Sequence, residues 1–577
     1  MKKFVVIMCI VAVTLACNMV GVIEAPRTPQ IELDSSSGVY SVKVGRELVI
    51  SPSYLYNEGA TYSWTIDGVV VCTEPSLRYS SDKTGSVYVT LRVANDLGDD
   101  AAELRIDVVE METPSLSLAG AAEGFTILKG EELPLSATMS PCSIATSVEW
   151  LIDGEVVGEG LHYTFVGNEV GKSDVAVYAK NEDGECRLEF VVDVVAERPF
   201  AWTFERDSYR LMVGRTLRIE PTTYTKDVEA VYTFCCGGDI VQHGALPHYD
   251  FTASTVGEYK VAITATIVRA EGEENHSHTI TITTHNEDYQ RPVTATSKAA
   301  WSKVYEYMPA PGQFINDTKM SGFDGSQTSA EAAVTYAEKR LAEKRWVSLG
   351  GFGGYIVVGF DHSIVNGEGY DLAIEGNTFE GSSEPGVVWV MQDENGDGLP
   401  NDMWYELAGS ESGKATSIRN YSVTYYRPSA PQMAVQWRDS EGRSGEIDYL
   451  KSSHNQPYYY PMWVGADSYT LRGTRLKEIN YDESGNGSMW VLPAYDWGYV
   501  DNMSSADLVQ HEGAQAGDAR CNIFKLESAV DATGKSVQLS HIDFVKVQCA
   551  CNTKSGWLGE MSTEVAGVYD YTLLNVE

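Results

Sequence analysis

The chain has 577 residues, with 81 acidic and 43 basic side chains and a formal net charge of −38. A charge of this size and sign repels phosphate backbones, so we expect no nucleic-acid partner. Apolar residues make up 43 % of the chain, which together with its length predicts several globular domains, each with its own core.

The first residues have the pattern of a bacterial export signal. Two lysines precede an apolar run from Phe4 to Ala16, which is too short to span a bilayer. Thr14-Leu-Ala-Cys17 resembles a lipobox, so we expect a lipoprotein signal peptide at residues 1–16 and lipidation of Cys17. An ordinary signal peptide cut elsewhere is the alternative. Residues 17–29 then form a short tether.

The first half of the chain contains an internal repeat. Gly85, Gly171 and Gly257 are 86 residues apart, and each precedes a strand-like alternating run. Trp64 and Trp150 are also 86 residues apart, whereas the third copy lacks this tryptophan. Short alternating strands at this spacing predict three β-sandwich modules. The expected modules are residues 30–110, 111–196 and 197–287, the last being degenerate.

The tryptophan strand, the following Asp-Gly turn and the glycine before an alternating strand resemble PKD domains, which are Ig-like sandwiches. Ser63–Gly68 and Glu149–Gly154 carry this pattern most clearly. The resemblance implies that Trp64 and Trp150 are core residues. It also implies that the three modules act as spacers or interaction surfaces and carry no chemistry.

The composition changes after a polar linker at residues 288–298. Nine of the twelve tryptophans lie in residues 299–577, where strand-like runs alternate with turns. One helix is predicted at Ser329–Arg345, with Thr328 and Glu331 as a capping box. We therefore expect an all-β protein in which three PKD-like sandwiches precede a larger jelly-roll-like sandwich with one helix.

The stretch Asp393–Asp402 has the composition of a calcium-binding loop between two strands. It offers side-chain oxygens at alternate positions, and Gly398 allows the sharp turn. The twelfth position is Trp404, so the loop is not an EF-hand, and we expect a structural ion. An acidic turn without an ion is the alternative. Asp482–Gly487 repeats the pattern more weakly. The predicted calcium ligands are Asp393, Asn395, Asp397, Asn401 and Asp402.

Two aromatic clusters in loop-like sequence suggest a binding face for a flat ligand. They are Tyr458–Trp463 and Tyr495–Tyr499, and each lies beside proline, glycine or polar residues. The alternative is that most of these rings fill the core of a large sandwich. The predicted ligand-binding residues are Tyr459, Trp463, Tyr495, Trp497 and Arg427.

An enzyme requires a positioned set of catalytic groups, and the sequence has no recognisable one. It contains neither a Gly-x-Ser-x-Gly elbow nor a His-Glu-x-x-His helix, and the four histidines after residue 299 are not spaced to chelate together. Carboxylate pairs for glycoside hydrolysis need no fixed spacing, so a polysaccharide hydrolase stays as the less favoured alternative. We expect a non-enzymatic protein.

Several motifs of the last 280 residues resemble surface lipoproteins of Bacteroidetes that carry PKD-like repeats, similar to the BtuH-type vitamin B12-capturing lipoproteins. The matching segments are Val347–Gly354, Asp393–Glu406, Arg472–Arg475 and Ser555–Glu560. The resemblance implies a lipid-anchored protein at the outer-membrane surface that captures a nutrient, most simply a corrinoid. Its expected partner is a TonB-dependent transporter. A surface glycan-binding protein or adhesin is the alternative.

Overall fold

The computed structural model describes residues 27–140, 144–510 and 520–574. The predicted signal peptide and Cys17 lie outside these residues. The chain is almost entirely β-structure and divides into two compact units, of which the first ends at Glu112 and the second begins at Thr113. Within the described ranges, no helix has the length and apolar character needed to cross a membrane.

The first unit is one sandwich module. Its main sheet has the strand order β2-β9-β8-β5-β6, in which β2 and β9 are parallel and the other pairs are antiparallel. Trp64 lies at its centre with no exposed surface, and its indole nitrogen donates a hydrogen bond to the Glu74 carbonyl. The strands are β1 (Gln30–Glu32), β2 (Val39–Lys43), β3 (Leu48–Ile50), β4 (Ser53–Leu55), β5 (Thr61–Ile66), β6 (Val69–Cys72), β7 (Leu77–Tyr79), β8 (Gly85–Asn95) and β9 (Gly98–Val109).

The second unit begins with two modules of the same design. Their main sheets, β11-β18-β17-β14-β15 and β20-β27-β26-β23-β24, repeat the order of module 1. Phe234 fills the core position of the missing tryptophan, so the degenerate third copy keeps the fold. The strands of module 2 are β10 (Leu116–Ser117), β11 (Phe125–Leu128), β12 (Glu132–Ser136), β13 (Thr138–Met139), β14 (Ser147–Ile152), β15 (Glu155–Glu159), β16 (His162–Val166), β17 (Gly171–Asn181) and β18 (Gly184–Val195). Those of module 3 are β19 (Trp202–Thr203), β20 (Ser208–Met212), β21 (Thr216–Ile219), β22 (Thr223–Tyr224), β23 (Val231–Cys236), β24 (Asp239–Gly244), β25 (Tyr249–Thr252), β26 (Gly257–Arg269) and β27 (Gly272–His285).

The C-terminal domain supplies the remaining elements. They are β28 (Lys303–Met308), α1 (Ala330–Ala342), β29 (Val347–Ser348), β30 (Tyr355–Val365), β31 (Leu372–Glu375), β32 (Gly386–Met391), β33 (Trp404–Leu407), β34 (Ile418–Tyr426), β35 (Val435–Asp439), β36 (Ser444–Ile447), β37 (Ser468–Arg475), β38 (Tyr481–Asp482), β39 (Trp490–Val491), β40 (Leu508–Gln510), β41 (Arg520–Phe524), β42 (Ala529–Val530), β43 (His541–Cys549), β44 (Glu564–Val565), β45 (Gly567–Asp570) and α2 (Tyr571–Leu574). Short 3₁₀ turns occupy Leu526–Ser528 and Gly556–Leu558.

Two sheets of this domain enclose its main core, as expected for a jelly-roll-like sandwich. The first sheet has the order β28-β30-β43-β32-β33-β42, and the second has the order β40-β41-β31-β45. Consecutive strands β30, β31 and β32 alternate between the two sheets. Helix α1 packs its buried side chains on the same core. Its N-cap is Ser329, whose hydroxyl accepts from the Ala332 amide, so the cap lies one residue after the predicted Thr328.

A third sheet, β36-β35-β34-β37, packs outside this sandwich around its own core. Module 2 contacts it directly, since the Gln436 amide donates to the Ser136 carbonyl over 3.0 Å. The guanidinium of Arg438 lies 4.7 Å from the centre of the Phe125 ring. Module 2 thus contacts the C-terminal domain through its own surface, and its role as a spacer or an interaction surface stays a prediction.

Module 3 is also docked onto the C-terminal domain. Glu394 is buried between Arg215 and His285 of the module, at 2.8 Å and 2.9 Å respectively. The segment predicted as a linker is fixed as well. The Arg291 guanidinium contacts Asp543 over 2.8 Å, and the imidazole of His541 is 3.0 Å from the Tyr289 carbonyl oxygen. Module 3, this segment and the sandwich thus form one continuous packed region.

Candidate functional site

A cavity of about 1040 Å³ lies between module 2 and the β36-β35-β34-β37 sheet. We call it the module 2 cavity. Module 2 contributes mainly β12, β13 and the start of β16, and the C-terminal domain contributes β35, β36 and the loops around Phe352 and Asn552. The volume reaches the upper end of the range of roughly 300–1,000 Å³ typical of small-molecule sites. A large organic ligand therefore fits.

The alternation of side chains along a strand explains how the cavity is shaped. Neighbouring strand residues point to opposite faces, and β36 is the edge strand of its sheet. Gln436 and Arg438 face module 2, whereas Trp437 faces the inner core of the sheet together with Ile447. All four line the cavity, so the cavity follows both faces of the β35–β36 hairpin.

Glu560 is the most unusual polar group in the cavity wall. Its side chain is buried, and one carboxyl oxygen, Oε1, accepts the backbone amide of Gln313 over 2.8 Å. The other oxygen, Oε2, is closed to solvent and has no hydrogen-bond partner among the described residues. Burial, with a contribution from the Asp448 charge, raises the pKa of Glu560 to about 8. Burial therefore favours the neutral, protonated form of this carboxyl group.

Other polar groups of the wall are already engaged. The Lys554 ammonium pairs with Asp448 over 2.5 Å. The Gln436 amide nitrogen is bound to module 2, while its Oε1 has no partner within the described part of the chain. Ser136 and His162 form a cross-strand hydrogen bond of 2.9 Å on β12 and β16, and no described carboxylate holds the other imidazole nitrogen. Such a wall suits a ligand that is held by van der Waals contacts and hydrogen bonds.

The predicted aromatic binding face does not form. Tyr459, Trp463 and Tyr495 are 0 %, 8 % and 4 % exposed, and they belong to three different cores. The hydroxyl of Tyr459 donates to the His454 carbonyl, so even its polar end is engaged. These rings fill the space between sheets, as the alternative interpretation of the sequence proposed. They have no face left for a ligand.

Arg427 is likewise engaged in local structure. Its guanidinium stacks 4.6 Å from the centre of the Tyr460 ring and donates to the backbone carbonyls of Val464 and Ala466. It caps the aromatic loop that follows and does not line the module 2 cavity. Arg427 therefore lies against the predicted aromatic cluster, but its guanidinium is engaged there and lies outside the module 2 cavity.

Trp497 differs from the other predicted rings because it is 44 % exposed. It borders a second cavity of about 300 Å³, together with Tyr370, Asp507 and Lys525. The Lys525 ammonium lies 5.5 Å from the centre of the Tyr370 ring. Of the five residues predicted to bind a ligand, Trp497 lines this smaller cavity, and none lines the module 2 cavity.

The predicted calcium loop connects β32 and β33, which pair antiparallel. Asp393 accepts the amides of Asp397 and Gly398 over 3.1 Å and 2.9 Å, so its side chain shapes the turn. Asp402 accepts the Glu394 amide over 2.8 Å.

The charges within the loop also affect one another. Burial, aided by neighbouring carboxylates, raises the pKa of Asp402 to about 6. Asn395 and Asn401 both donate to Asp397, which gathers the predicted ligands around one acidic residue. Calcium binding stays a prediction.

The weaker loop at Asp482–Gly487 joins β38 and β39. Asp482 accepts the hydroxyl of Ser484 and the amides of Gly487 and Ser484, and these contacts lower its pKa. The residues form a surface turn, and the structure gives no stronger reason to assign an ion there.

The structure brings together three carboxylates that the sequence did not indicate. Oxygens of Glu384, Asp501 and Glu564 all lie within 4.8 Å of one another, and Asp501 and Glu564 are fully buried. Burial raises the pKa of Asp501 to about 7. The three groups could share protons or hold a cation. They are far apart in the chain, so no spacing pattern could have revealed them.

Comparisons with known proteins give a family match to the first sandwich module. A family model described as "PKD-like domain" matches residues 28–95. No curated protein matches the chain. Similar solved structures include an I-band fragment of titin, I67–I69 (13 % identity, 45 % of this chain, 99 % of that chain, TM-score 0.22). Three N-terminal domains of the bacteriophage RB49 Hoc protein match with 12 % identity over 45 % of this chain and 100 % of theirs, with a TM-score of 0.22.

The fibronectin(III)-like modules of Clostridium thermocellum CbhA match with 16 % identity over 29 % of this chain and 94 % of theirs, with a TM-score of 0.19. The chain contains a PKD-like domain at residues 28–95, and modules 2 and 3 repeat its sheet order before an all-β C-terminal domain.

Proposed function

We propose that this protein is a non-enzymatic, lipid-anchored surface protein that captures a corrinoid nutrient in the module 2 cavity. The observation that carries the proposal is the cavity itself: about 1040 Å³, walled by Trp437, Tyr449 and apolar residues of module 2. A wide cavity with aromatic walls and few free polar groups suits a large ligand with an extended flat face. The motif resemblance to B12-capturing lipoproteins of Bacteroidetes supports the choice of corrinoid.

The sequence of the leader supports the proposed location. Its basic start, short apolar run and Cys17 fit a lipid-anchored protein of the outer membrane, and the charge of −38 suits the exterior of a cell. A captured nutrient must then cross the membrane, for which a TonB-dependent transporter is the proposed partner. Calcium at Asp393–Asp402 is proposed as a structural ion near the junction with module 3.

Glycan binding is the second candidate, and the half-exposed Trp497 favours it. An exposed tryptophan beside a cavity of about 300 Å³ can stack on a sugar ring. A surface glycan-binding protein or adhesin would then use this smaller cavity rather than the module 2 cavity.

The test is calorimetric titration of the full-length protein in the presence of calcium, with cyanocobalamin and with a panel of host and plant glycans. The full chain is required because module 2 forms one wall of the cavity. Saturable binding of cyanocobalamin supports corrinoid capture. Binding of a glycan that is lost in Trp497→Ala would replace it with the second candidate. Silence with both ligands from a folded protein would contradict both.

A further inference from the structure

Arg438 places a positive charge without an anionic partner in the wall of the module 2 cavity. Its side chain is half-buried, and none of its N–H groups donates a hydrogen bond to a described residue. Its nitrogens nevertheless keep solvent-accessible surface, in contrast to Oε2 of Glu560. The chain carries a net charge of −38, so an arginine that lacks a carboxylate partner in such a wall is unusual.

Apolar contacts with module 2 fix the position of this guanidinium. It lies over the Phe125 ring, 4.7 Å from the ring centre. A methyl group added to Gly120 would lie 3.1 Å from Nη1 of Arg438, so the guanidinium also packs closely against this backbone. Neither contact supplies a hydrogen-bond acceptor. The group is therefore held in place while its hydrogen-bonding capacity stays unused.

The acidic side chains nearby do not neutralise Arg438. In the β35–β36 hairpin, Arg438 lies opposite Ser444, whereas Glu446 lies opposite Gln436. Glu123 attracts the guanidinium from module 2, but its own Oε1 accepts the Ser468 hydroxyl over 3.2 Å.

Burial has a larger effect on Arg438 than these attractions. It lowers the pKa of the guanidinium, and the charges of Tyr426 and Glu123 oppose this change only in part. Arginine nevertheless stays charged in proteins. An anion that enters the cavity would therefore gain a pre-positioned partner.

We propose that the guanidinium of Arg438 binds the phosphodiester group of a complete corrinoid, so that the module 2 cavity selects corrinoids that carry their nucleotide loop. This inference rests on the proposed function, because it concerns the ligand of that cavity. The planar N–H donors of arginine match two phosphate oxygens at once. The amide side chains of the corrin ring are uncharged and do not require a cation. An incomplete corrinoid such as cobinamide lacks the phosphodiester and cannot make this contact.

The test compares two corrinoids that differ in this group. The full-length protein and its variants are titrated with cyanocobalamin and with dicyanocobinamide. Arg438→Ala should lower the affinity for cyanocobalamin by about 10- to 100-fold, the effect of losing hydrogen bonds to a charged group. Its affinity for dicyanocobinamide should stay within about threefold of that of the natural protein. Arg438→Lys keeps the charge without the planar fork, so it should bind cyanocobalamin more tightly than Arg438→Ala does.

The matched control is Arg345→Ala, which removes the same charge from an exposed position outside the cavity. It should bind both corrinoids as the natural protein does, and thermal denaturation shows whether each variant is folded. If Arg438→Ala weakened both corrinoids equally, or neither, the phosphodiester contact would be overturned while corrinoid capture stood. If the folded natural protein bound neither corrinoid, the proposed function would fail, and the contact would fail with it.

Chemical labelling tests the free guanidinium without a ligand. Phenylglyoxal reacts with accessible guanidinium groups, and peptide mass spectrometry measures the extent of reaction at each arginine. Arg438 should be modified in the ligand-free protein, and cyanocobalamin should protect it more strongly than dicyanocobinamide does. Arg345 should react at the same rate in all three conditions. An Arg438 that stayed unmodified in the ligand-free protein would overturn the proposal whether or not a corrinoid binds.

Discussion

Modules 2 and 3 both dock onto the C-terminal domain, but their contacts differ in whether the buried carboxyl group has a cationic partner. At module 3, Glu394 is 2 % exposed and is held by Arg215 and His285 at 2.8 Å and 2.9 Å. At module 2, Gln436 and Glu560 each keep an oxygen without a partner in the described chain, beside a cavity of about 1040 Å³. The paired carboxylate holds module 3 in place, which we call the closed contact, whereas the cavity beside module 2, the open contact, leaves room for a ligand.

The largest effect is expected from breaking the closed contact. Glu394→Ala would leave Arg215 and His285 buried without their carboxylate, which costs about 3–5 kcal/mol in other proteins. We expect this loss in the free energy of unfolding, measured by chemical denaturation with a chelator present so that no ion at the adjacent loop contributes. Glu441→Ala is the matched control, because its pair with Lys226 also joins module 3 to the C-terminal domain but is exposed. If Glu394→Ala and Glu441→Ala were equally stable, the buried ion pair would hold module 3 no more strongly than the exposed one.

The unpartnered carboxyl at the open contact should make stability depend on pH. The pKa of Glu560 is raised from an ordinary 4.5 to about 8, so the folded state holds this proton more tightly than the unfolded state. Its contribution to stability is fully present below pH 4.5 and is lost as the pH rises through about 8. Glu560→Gln has no such proton to lose. As the pH rises from 5 to 8, the free energy of unfolding of the variant should therefore increase by on the order of 3 kcal/mol relative to that of the natural protein. Chemical denaturation of both proteins at pH 5 and pH 8 provides the measurement. A difference in their free energies of unfolding that is the same at both pH values would contradict the prediction.

Filling the open contact should abolish binding without harming the fold. Ala434 lines the module 2 cavity and is only partly buried, so Ala434→Trp places an indole in the cavity. We expect the affinity for cyanocobalamin to fall at least about 100-fold, which corresponds to about 2.7 kcal/mol. Ala430→Trp is the matched control, since Ala430 lies in the same loop but does not line the cavity. If both variants bind as the natural protein does, the ligand site lies elsewhere.

The sequence predicted the modules well because their signals are local and periodic. The 86-residue spacing of Gly85, Gly171 and Gly257 marks the start of β8, β17 and β26, and Trp64 and Trp150 lie in the cores as expected. A β-strand needs only alternation and a turn signal, both of which a single sequence contains. The same kind of local pattern also predicted that the acidic loop connects two strands, which are β32 and β33.

The site was harder to predict because it depends on which surfaces meet. An aromatic loop such as Tyr458–Trp463 has the same composition whether it covers a core or lines a cavity, and only the packing of β34 to β37 decides. The segment 288–298 is polar in sequence yet fixed, because Asp543 and His541 come from a strand some 250 residues later. Glu560 carried no signal by itself, since its importance lies in an oxygen left without a partner.

The calcium loop is expected to give the smallest effect. It tests whether the contact between module 3 and the C-terminal domain also depends on a bound ion. If Asp393–Asp402 binds an ion, removal of the ion should loosen a loop that also positions Glu394 against module 3. At free calcium some tens of times the dissociation constant, the loss is about 2 kcal/mol, which we expect as a decrease of a few degrees in the melting temperature on addition of chelator. Asp397→Ala is the matched variant, because Asp397 is exposed and its side chain accepts hydrogen bonds from Asn395, Leu399 and Asn401 of the loop. It should melt at the same temperature with and without chelator. A natural protein that melts identically in both conditions would show that the loop is an acidic turn held by its own hydrogen bonds, and that the closed contact needs no ion.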